Sequence, residues 1–329
     1  MLFSPPPLLR NRHLQSILAS SKLRKPFIKK SGKPMLDATK EVLLACGNGV
    51  QLHSLVSVHP KSSPLKKNSL VVLIHGWEGS AESTYLLSAA TTLFNQGHDV
   101  VRLHLRDHGP SHHLNSGVFH GARIDEVVAA IQSINTLLPR QNTYLAGFSL
   151  GGNFALRVAA HKQHKELKLD KVVAISPVVN PPQTMKALES GASFYRVYFM
   201  RKWRKSLQLK HKYFPDKIDL TTINKASNLL SLTQMLVNQH TEFTSVEEYF
   251  NSYALTGNVL SQIGIPTQII TSQDDPVIPA KGFKAISASP SLNISVQSHG
   301  GHCGFIKDYR LNSWINDVLI DQFKISGHD

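Results

Sequence analysis

The chain has 329 residues, 41% of them hydrophobic and 18% charged, enough for a sizeable core in one large α/β domain or two smaller ones. It has no run near the roughly eighteen apolar residues of a spanning helix, no charged lead-in and apolar stretch of a secretory signal at Met1–Arg10, and only Cys46 and Cys303, too few for a disulfide framework or a four-ligand zinc site, so a reducing, cytoplasmic setting is the default expectation. The net charge of +14 suggests contact with a polyanion such as an anionic lipid surface at the inner face of the membrane, while the lack of any helix-turn-helix, RNP-like or zinc-finger pattern argues against nucleic acid.

Residues 1–37 form a Pro-rich, basic segment with an amphipathic piece at Leu14–Leu18 and no acidic residue before Asp37. Two alternating apolar runs follow, Glu41–Cys46 and Val50–Val56, split by Gly47-Asn48-Gly49, a strong antiparallel hairpin signal. From Ser69 strand and helix signals alternate. Leu70–Ile74 reads as a strand buried on both faces, Ser83–Gln96 as a helix, Val100–Leu105 as a strand and Arg123–Leu138 as a helix. A strand over Thr143–Ala146 leads into a helix near Asn153–Ala160, and strands are expected at Lys171–Ser176, Thr267–Thr271 and Asn293–Gln297, with a last helix near Leu311–Phe323. The pattern predicts a mostly parallel sheet covered on both faces, opened by an antiparallel hairpin. Residues 178–257 interrupt it. That stretch is helix-prone, basic and aromatic, and it reads as a cap inserted into a core of residues 38–177 and 258–329. Its acid-free part carries Arg196, Arg201, Lys202, Arg204, Lys205, Lys210 and Lys212 among aromatic residues.

The chemistry concentrates at strand ends. Gly147-Phe148-Ser149-Leu150-Gly151 joins a strand to a helix, which sets a serine on a sharp turn with its hydroxyl over the sheet, and small flanking residues let the backbones close in. A serine hydroxyl needs a base, and the base needs an orienting group. In this arrangement the acid comes next in the chain and the histidine last. Asp274 and Asp275 follow the Thr267–Thr271 strand; Asp275 is preferred because the Pro276–Pro279 turn directly follows it. His299 and His302 lie in the loop after the last strand; His302 is preferred because Gly300, Gly301 and Gly304 permit close approach. Ser149, His302 and Asp275 are therefore the expected catalytic triad. Two donors must face the developing oxyanion, and the expected ones are the backbone N–H groups of Leu150 and Trp77, the latter in the His75–Gly79 loop. The chemistry requires no cofactor and no metal. His98, His104, His108, His112, His113 and His120 crowd one region, but their spacing matches no metal motif. His120 and Asp125 share the His-x4-Asp spacing of some acyltransferases, which a helix start with an early acid also explains.

These motifs identify a resemblance. Arg10-Asn11-Arg12-His13-Leu14-Gln15-Ser16-Ile17-Leu18, His75-Gly76-Trp77-Glu78-Gly79-Ser80, Leu105–Gly109, the Ser149 elbow, Asp274-Asp275-Pro276 and His299–Phe305 together resemble the YheT-like α/β-hydrolases over nearly the whole chain. The resemblance implies an α/β-hydrolase fold and a serine hydrolase acting on carboxylic esters, with acylglycerols or related lipid esters as substrates among relatives. Related hydrolases carry their acid at the turn that follows Asp275. Where relatives often have Leu after His-Gly, this chain has Trp77, which bears on the acyl pocket. An acyltransferase with the same triad and a non-catalytic lipid-surface module are the alternative functions.

Overall fold

Three consecutive positive φ angles, at Gly47 (80°), Asn48 (48°) and Gly49 (74°), close the turn between the antiparallel strands β1 (Thr39–Ala45) and β2 (Gln51–Ser57). Left-handed backbone at all three positions suits glycines on either side of the asparagine, itself among the residues that tolerate it. In the computed structural model, which describes residues 2–162, 165–287 and 289–324, this hairpin is the edge of an eight-stranded sheet. The remaining strands are β3 (Ser69–Ile74), β4 (Asp99–Leu103), β5 (Asn142–Phe148), β6 (Lys171–Ile175), β7 (Thr267–Ser272) and β8 (Leu292–Gln297). Their order across the sheet is β1-β2-β4-β3-β5-β6-β7-β8, and β3 to β8 all run parallel. The fold class expected from the alternating signals is the one observed, with element ends shifted by no more than three residues.

Every residue of β3 is buried, because helices cover both faces. Leu70, Val72 and Ile74 face the core shared with helices Ile124–Leu137 and Leu150–Ala159, whereas Val71 and Leu73 face helices Thr84–Asn95 and Trp314–Gln322. Side chains alternate between the two cores because successive strand residues point to opposite faces.

Five helices lie between β6 and β7: Pro181–Ser190, Ser193–Tyr213, Leu220–Lys225, Leu229–His240 and Val246–Ser252. This helical insert occupies the stretch expected to be a cap, and its buried side chains join the first of the two cores. Several cations of the acid-free stretch turn inward rather than forming a uniform basic surface. Lys210 is buried and pairs with Asp107 at 2.7 Å, and Lys202 donates to the Glu78 carbonyl at 2.7 Å. Arg204 donates to the Ala226 carbonyl. Arg201, Lys205 and Lys212 remain exposed.

The N-terminal segment is more structured than its composition indicates. Helices Arg12–Ser20, Lys25–Ser31 and Lys33–Asp37 pack against helix Thr84–Asn95, which covers the sheet's second face. Phe3 packs against Phe305 and Trp314, each with ring centroids 5.4 Å away, and its N–H donates to the Gln297 side chain at 2.8 Å. Arg24, one of the segment's basic residues, is buried, and burial pulls its guanidinium down to about 10.

Candidate active site

Ser149 follows β5 directly and stands at φ 54°, ψ −118° as the N-cap of the Leu150–Ala159 helix. A left-handed serine is strained, and its neighbours hold it there. Its N–H donates to the Ile175 carbonyl at 2.8 Å, and its carbonyl accepts from Asn153 at 3.1 Å. A Cβ on Gly147 would sit 2.1 Å from the Gly151 carbonyl oxygen, and one on Gly151 would sit 2.4 Å from that of His75. The two glycines are thus steric requirements of the turn.

Two loops at the same end of the sheet bring the partners in. His302 Nε2 lies 3.0 Å from Ser149 Oγ, and His302 Nδ1 lies 2.9 Å from Asp275 Oδ2. The Asp275 side chain is fully buried, and its Oδ1 accepts the N–H groups of Val277 and Ile278, each at 2.8 Å. The turn after Asp275 is therefore what fixes the carboxylate. Burial alone would lower the His302 imidazole, but the Asp275 carboxylate, the neighbouring Cys303 and the hydrogen bond to Asp275 together outweigh it and hold the ring well above its usual value. The other candidate acid has different work. Asp274 Oδ1 accepts the Gly301 N–H at 2.9 Å, and His299 Nδ1 sits 3.7 Å from Asp274 Oδ2.

Trp77, Ser149 and Leu150 line one cleft. Its walls are mostly apolar: Phe119, Leu188, Phe199, Trp203, Leu236 and Phe250 among others. The Trp77 ring stacks on Phe199 at 5.1 Å and meets Trp203 edge-on at 5.0 Å, so it ties the loop after β3 to the cap. Gly76 lies against the elbow, where an added Cβ would be 3.1 Å from Ser149 Cβ. Neither the Trp77 nor the Leu150 N–H has an acceptor among the described residues.

A family model described as the alpha/beta hydrolase fold matches residues 69–309. The chain belongs to the α/β-hydrolase fold family. Within it the chain is YheT-like: it is 24% identical over 261 residues to the "Putative esterase YheT" of Escherichia coli strain K12, covering 76% of this chain and 75% of that one. It is also 21% identical to Phospholipase ABHD3 of Mus musculus, covering 72% of this chain and 58% of the relative, so it spans well under two thirds of that protein. Among solved structures, the Pyrococcus furiosus esterase Pf2001 shares the fold, with a TM-score of 0.55, 16% identity and coverage of 87% and 93% of the two chains.

In this α/β-hydrolase three buried histidines, His75 and two of the crowded group, His104 and His108, are scaffolding for the loop that carries Trp77. His75 Nε2 accepts the Leu105 N–H at 3.2 Å, so its Nδ1 is the protonated nitrogen and donates to the Gly76 carbonyl at 2.8 Å. His108 repeats the pattern: Nε2 accepts the Glu78 N–H at 3.0 Å and Nδ1 donates to the Arg106 carbonyl at 2.7 Å. His104 Nε2 accepts the Ala81 N–H at 3.0 Å, which leaves its Nδ1 to donate to His53 Nδ1 at 3.0 Å. Each ring must be neutral to accept, and burial lowers His75 and His104 to about 3 and His108 well below its usual value. Lone pairs spent on backbone N–H groups are not open to a metal. His120 lies buried at the cleft, whereas the Asp125 side chain is 93% exposed and faces His161, so the His-x4-Asp spacing does not bring its two residues together.

Sequence reasoning missed two residues. Ser16 Oγ accepts the His302 N–H at 2.8 Å, and Gln15 brackets Ile306, accepting its N–H at 2.6 Å and donating to its carbonyl at 3.0 Å. The available signal was the pair of polar residues inside the otherwise apolar Leu14–Leu18 run.

Proposed function

We propose that this α/β-hydrolase is a serine carboxylic-ester hydrolase that works through an acyl-enzyme. Ser149 Oγ attacks the ester carbonyl carbon while His302 Nε2 takes its proton. The N–H groups of Trp77 and Leu150 hold the oxyanion. As the tetrahedral intermediate collapses, the bond to the alcohol oxygen breaks and His302 returns the proton to that oxygen. Water then attacks the acyl carbon, His302 takes the water's proton, and Ser149 leaves carrying it. Asp275 orients the imidazole and stabilises its charged form in both halves. Ester and water balance the cycle, so no cofactor enters it.

The observation that carries this reading is the imidazole of His302 within hydrogen-bond reach of a strained serine on one side and a buried carboxylate on the other. An ester with an apolar acyl group suits the cleft's aromatic and aliphatic walls, and acylglycerols or other lipid esters are the class we favour. Ser149→Ala is expected to abolish turnover of a p-nitrophenyl ester with an unchanged thermal melt; retained turnover in that variant would remove the mechanism. Transfer of the acyl group to an alcohol uses the same residues, and product analysis with competing acceptors separates the two.

We further propose that the protein meets its substrate on an anionic lipid surface. Leu8, Ile17, Leu23 and Phe27 are exposed on the N-terminal segment, beside Phe194, Val197 and Tyr198 on the cap helix. His13 contacts the rings of Phe194 and Tyr195, which makes the two regions continuous. Arg10, Arg12, Lys22, Lys25, Lys29 and Lys30 supply the positive charge there. Cosedimentation is expected with phosphatidylserine vesicles and not with phosphatidylcholine vesicles; equal partitioning into both would remove this proposal.

A further inference from the structure

The helix Arg12–Ser20 is oriented against the usual rule for an amphipathic helix. Its buried face is Gln15, Ser16 and Ala19, while Leu14 and Ile17 are exposed. Polar side chains turn inward only where they find partners, and both of these find them in the loop that carries His302. Ser16 Oγ donates to the Arg12 carbonyl at 2.7 Å, which aims an oxygen lone pair at the His302 N–H 2.8 Å away. Gln15 is fully buried and has all its polar atoms bonded: to the Leu9 carbonyl at 2.6 Å and to both backbone groups of Ile306.

The loop rests on the helix without room to spare. A Cβ on Gly301 would come within 2.3 Å of the Arg12 carbonyl oxygen and 2.7 Å of Ser16 Oγ, and one on Gly304 within 2.7 Å of the Gln15 backbone. On the opposite side Asp274 accepts the Gly301 N–H, and Ser272 donates to the Gly301 carbonyl at 2.9 Å. The backbone of residues 301 and 302 is thus gripped from the β7 end and from the N-terminal helix. The cap joins the same contact: the Tyr195 hydroxyl lies 3.2 Å from His13 Nδ1, and its interaction with Ser16 partly offsets the rise that burial imposes on the phenol.

We propose that Ser16 is a positioning residue for the catalytic histidine, so that the N-terminal helix, with Gln15 as its anchor, is part of the reaction machinery. The inference rests on the ester-hydrolase reading above. Ser16 touches no reacting atom. Its oxygen sets the height and tilt of the His302 backbone, and through it the line from Nε2 to Ser149 Oγ, where misplacement of about 1 Å can cost on the order of a hundredfold in rate.

The test measures kcat and KM on a short-chain p-nitrophenyl ester for wild type, Ser16→Ala and Ser16→Thr, with thermal melts of each. Ser16→Ala is expected to lower kcat by roughly 10- to 100-fold with KM within about twofold, and Ser16→Thr, which keeps the acceptor oxygen, to recover most of the loss. A merely structural contact would move the melt without splitting kcat from KM in this way. Ser16→Ala with wild-type kcat overturns the inference, and so does a kcat loss that Ser16→Thr leaves uncorrected. Should Ser16→Ala not fold, Ser16→Cys, a weaker acceptor of similar size, is read by the same criteria. Wild-type protein that neither turns over the ester nor labels with a fluorophosphonate would instead bring down the ester-hydrolase reading itself.

Discussion

At the scale of single residues, the elbow serine and its histidine carry opposite burdens: one is strained in its backbone, the other perturbed in its charge. In the proposed mechanism His302 must be neutral to accept the Ser149 proton, and its proton affinity is raised by Asp275 against the lowering effect of burial. Activity is therefore expected to fall as pH drops through a value above the ordinary histidine figure of about 6.5. Asp275→Asn removes the carboxylate that lifts it. In that variant the acid limb of kcat/KM is expected to move to lower pH while the maximum rate falls by several orders of magnitude, about 10⁴ in the known case of a serine protease triad. An acid limb that stays in place would show that Asp275 does not set the imidazole's charge. The flanking glycines are tested by stability. Gly151→Ala places a methyl 2.4 Å from the His75 carbonyl oxygen and 2.5 Å from that of Ile74. A loss of about 3 kcal/mol or more in urea unfolding is expected from such an overlap with backbone.

Among the elements, the connection between cap and core depends on a buried ion pair. Lys210, on the cap helix Ser193–Tyr213, reaches Asp107 in the loop after β4 and also the carbonyls of His112 and Asn115. Asp107 spends its second oxygen on the Phe119 N–H at 2.8 Å. Both side chains are nearly inaccessible, at 1% and 5% exposure, so neither charge tolerates losing the other. Lys210→Met is expected to destabilise the protein by about 3–5 kcal/mol, most of it the cost of an uncompensated buried carboxylate. Adding Asp107→Asn is expected to recover a large part of that loss, which a double-mutant cycle by urea unfolding would measure. A cap helix of strongly basic composition reads from its sequence as a solvated face, and here one of its lysines closes the core instead. The same tertiary override acts on the N-terminal segment, where Arg24 and Gln15 are buried and leucines are exposed.

For the whole molecule, the buried histidines make stability depend on pH. His75, His104 and His120 are lowered to about 3, His98 and His112 to about 4, and His108 well below its usual value, burial being the largest cause in each. A histidine whose folded value is depressed binds its proton more readily when unfolded. Its contribution is complete above the unfolded value of about 6.5 and is lost as pH falls from there toward the folded one. Each such ring adds a slope of about 1.4 kcal/mol per pH unit below that point. His302 has the opposite sign: its folded value is raised, so its contribution is complete below about 6.5 and is lost as pH rises through the folded value. Glu78, pushed up to about 8 by burial, acts in the same direction as His302. Asp107, raised by burial, acts in that direction too, and six lowered rings against these three leave the acid side as the weak one. The urea midpoint is expected to fall between pH 7 and pH 5.5, and a flat profile over that range would show that the rings are not held neutral.

Much of this protein is decided by its sequence alone, wherever the controlling interaction is local or repeats along the chain. The Gly47-Asn48-Gly49 turn, the apolar run Leu70–Ile74 of β3 and the glycines around Ser149 encode their conformations through φ preferences and sterics that act within a few residues. The order of serine, acid and histidine is likewise readable, because chain order at successive strand ends is a linear property. Only the tertiary structure decided what lies across the fold. Ser16 and His302 are 286 positions apart, and the polar pair inside the Leu14–Leu18 run marks Ser16 as unusual without telling which loop it holds. The histidines gave no sign of being a frame for the loop after β3, since their acceptors are backbone N–H groups that every sequence contains. Burial and hydrogen-bond satisfaction belong to the folded neighbourhood, and they settled which of the charged and polar residues turn inward.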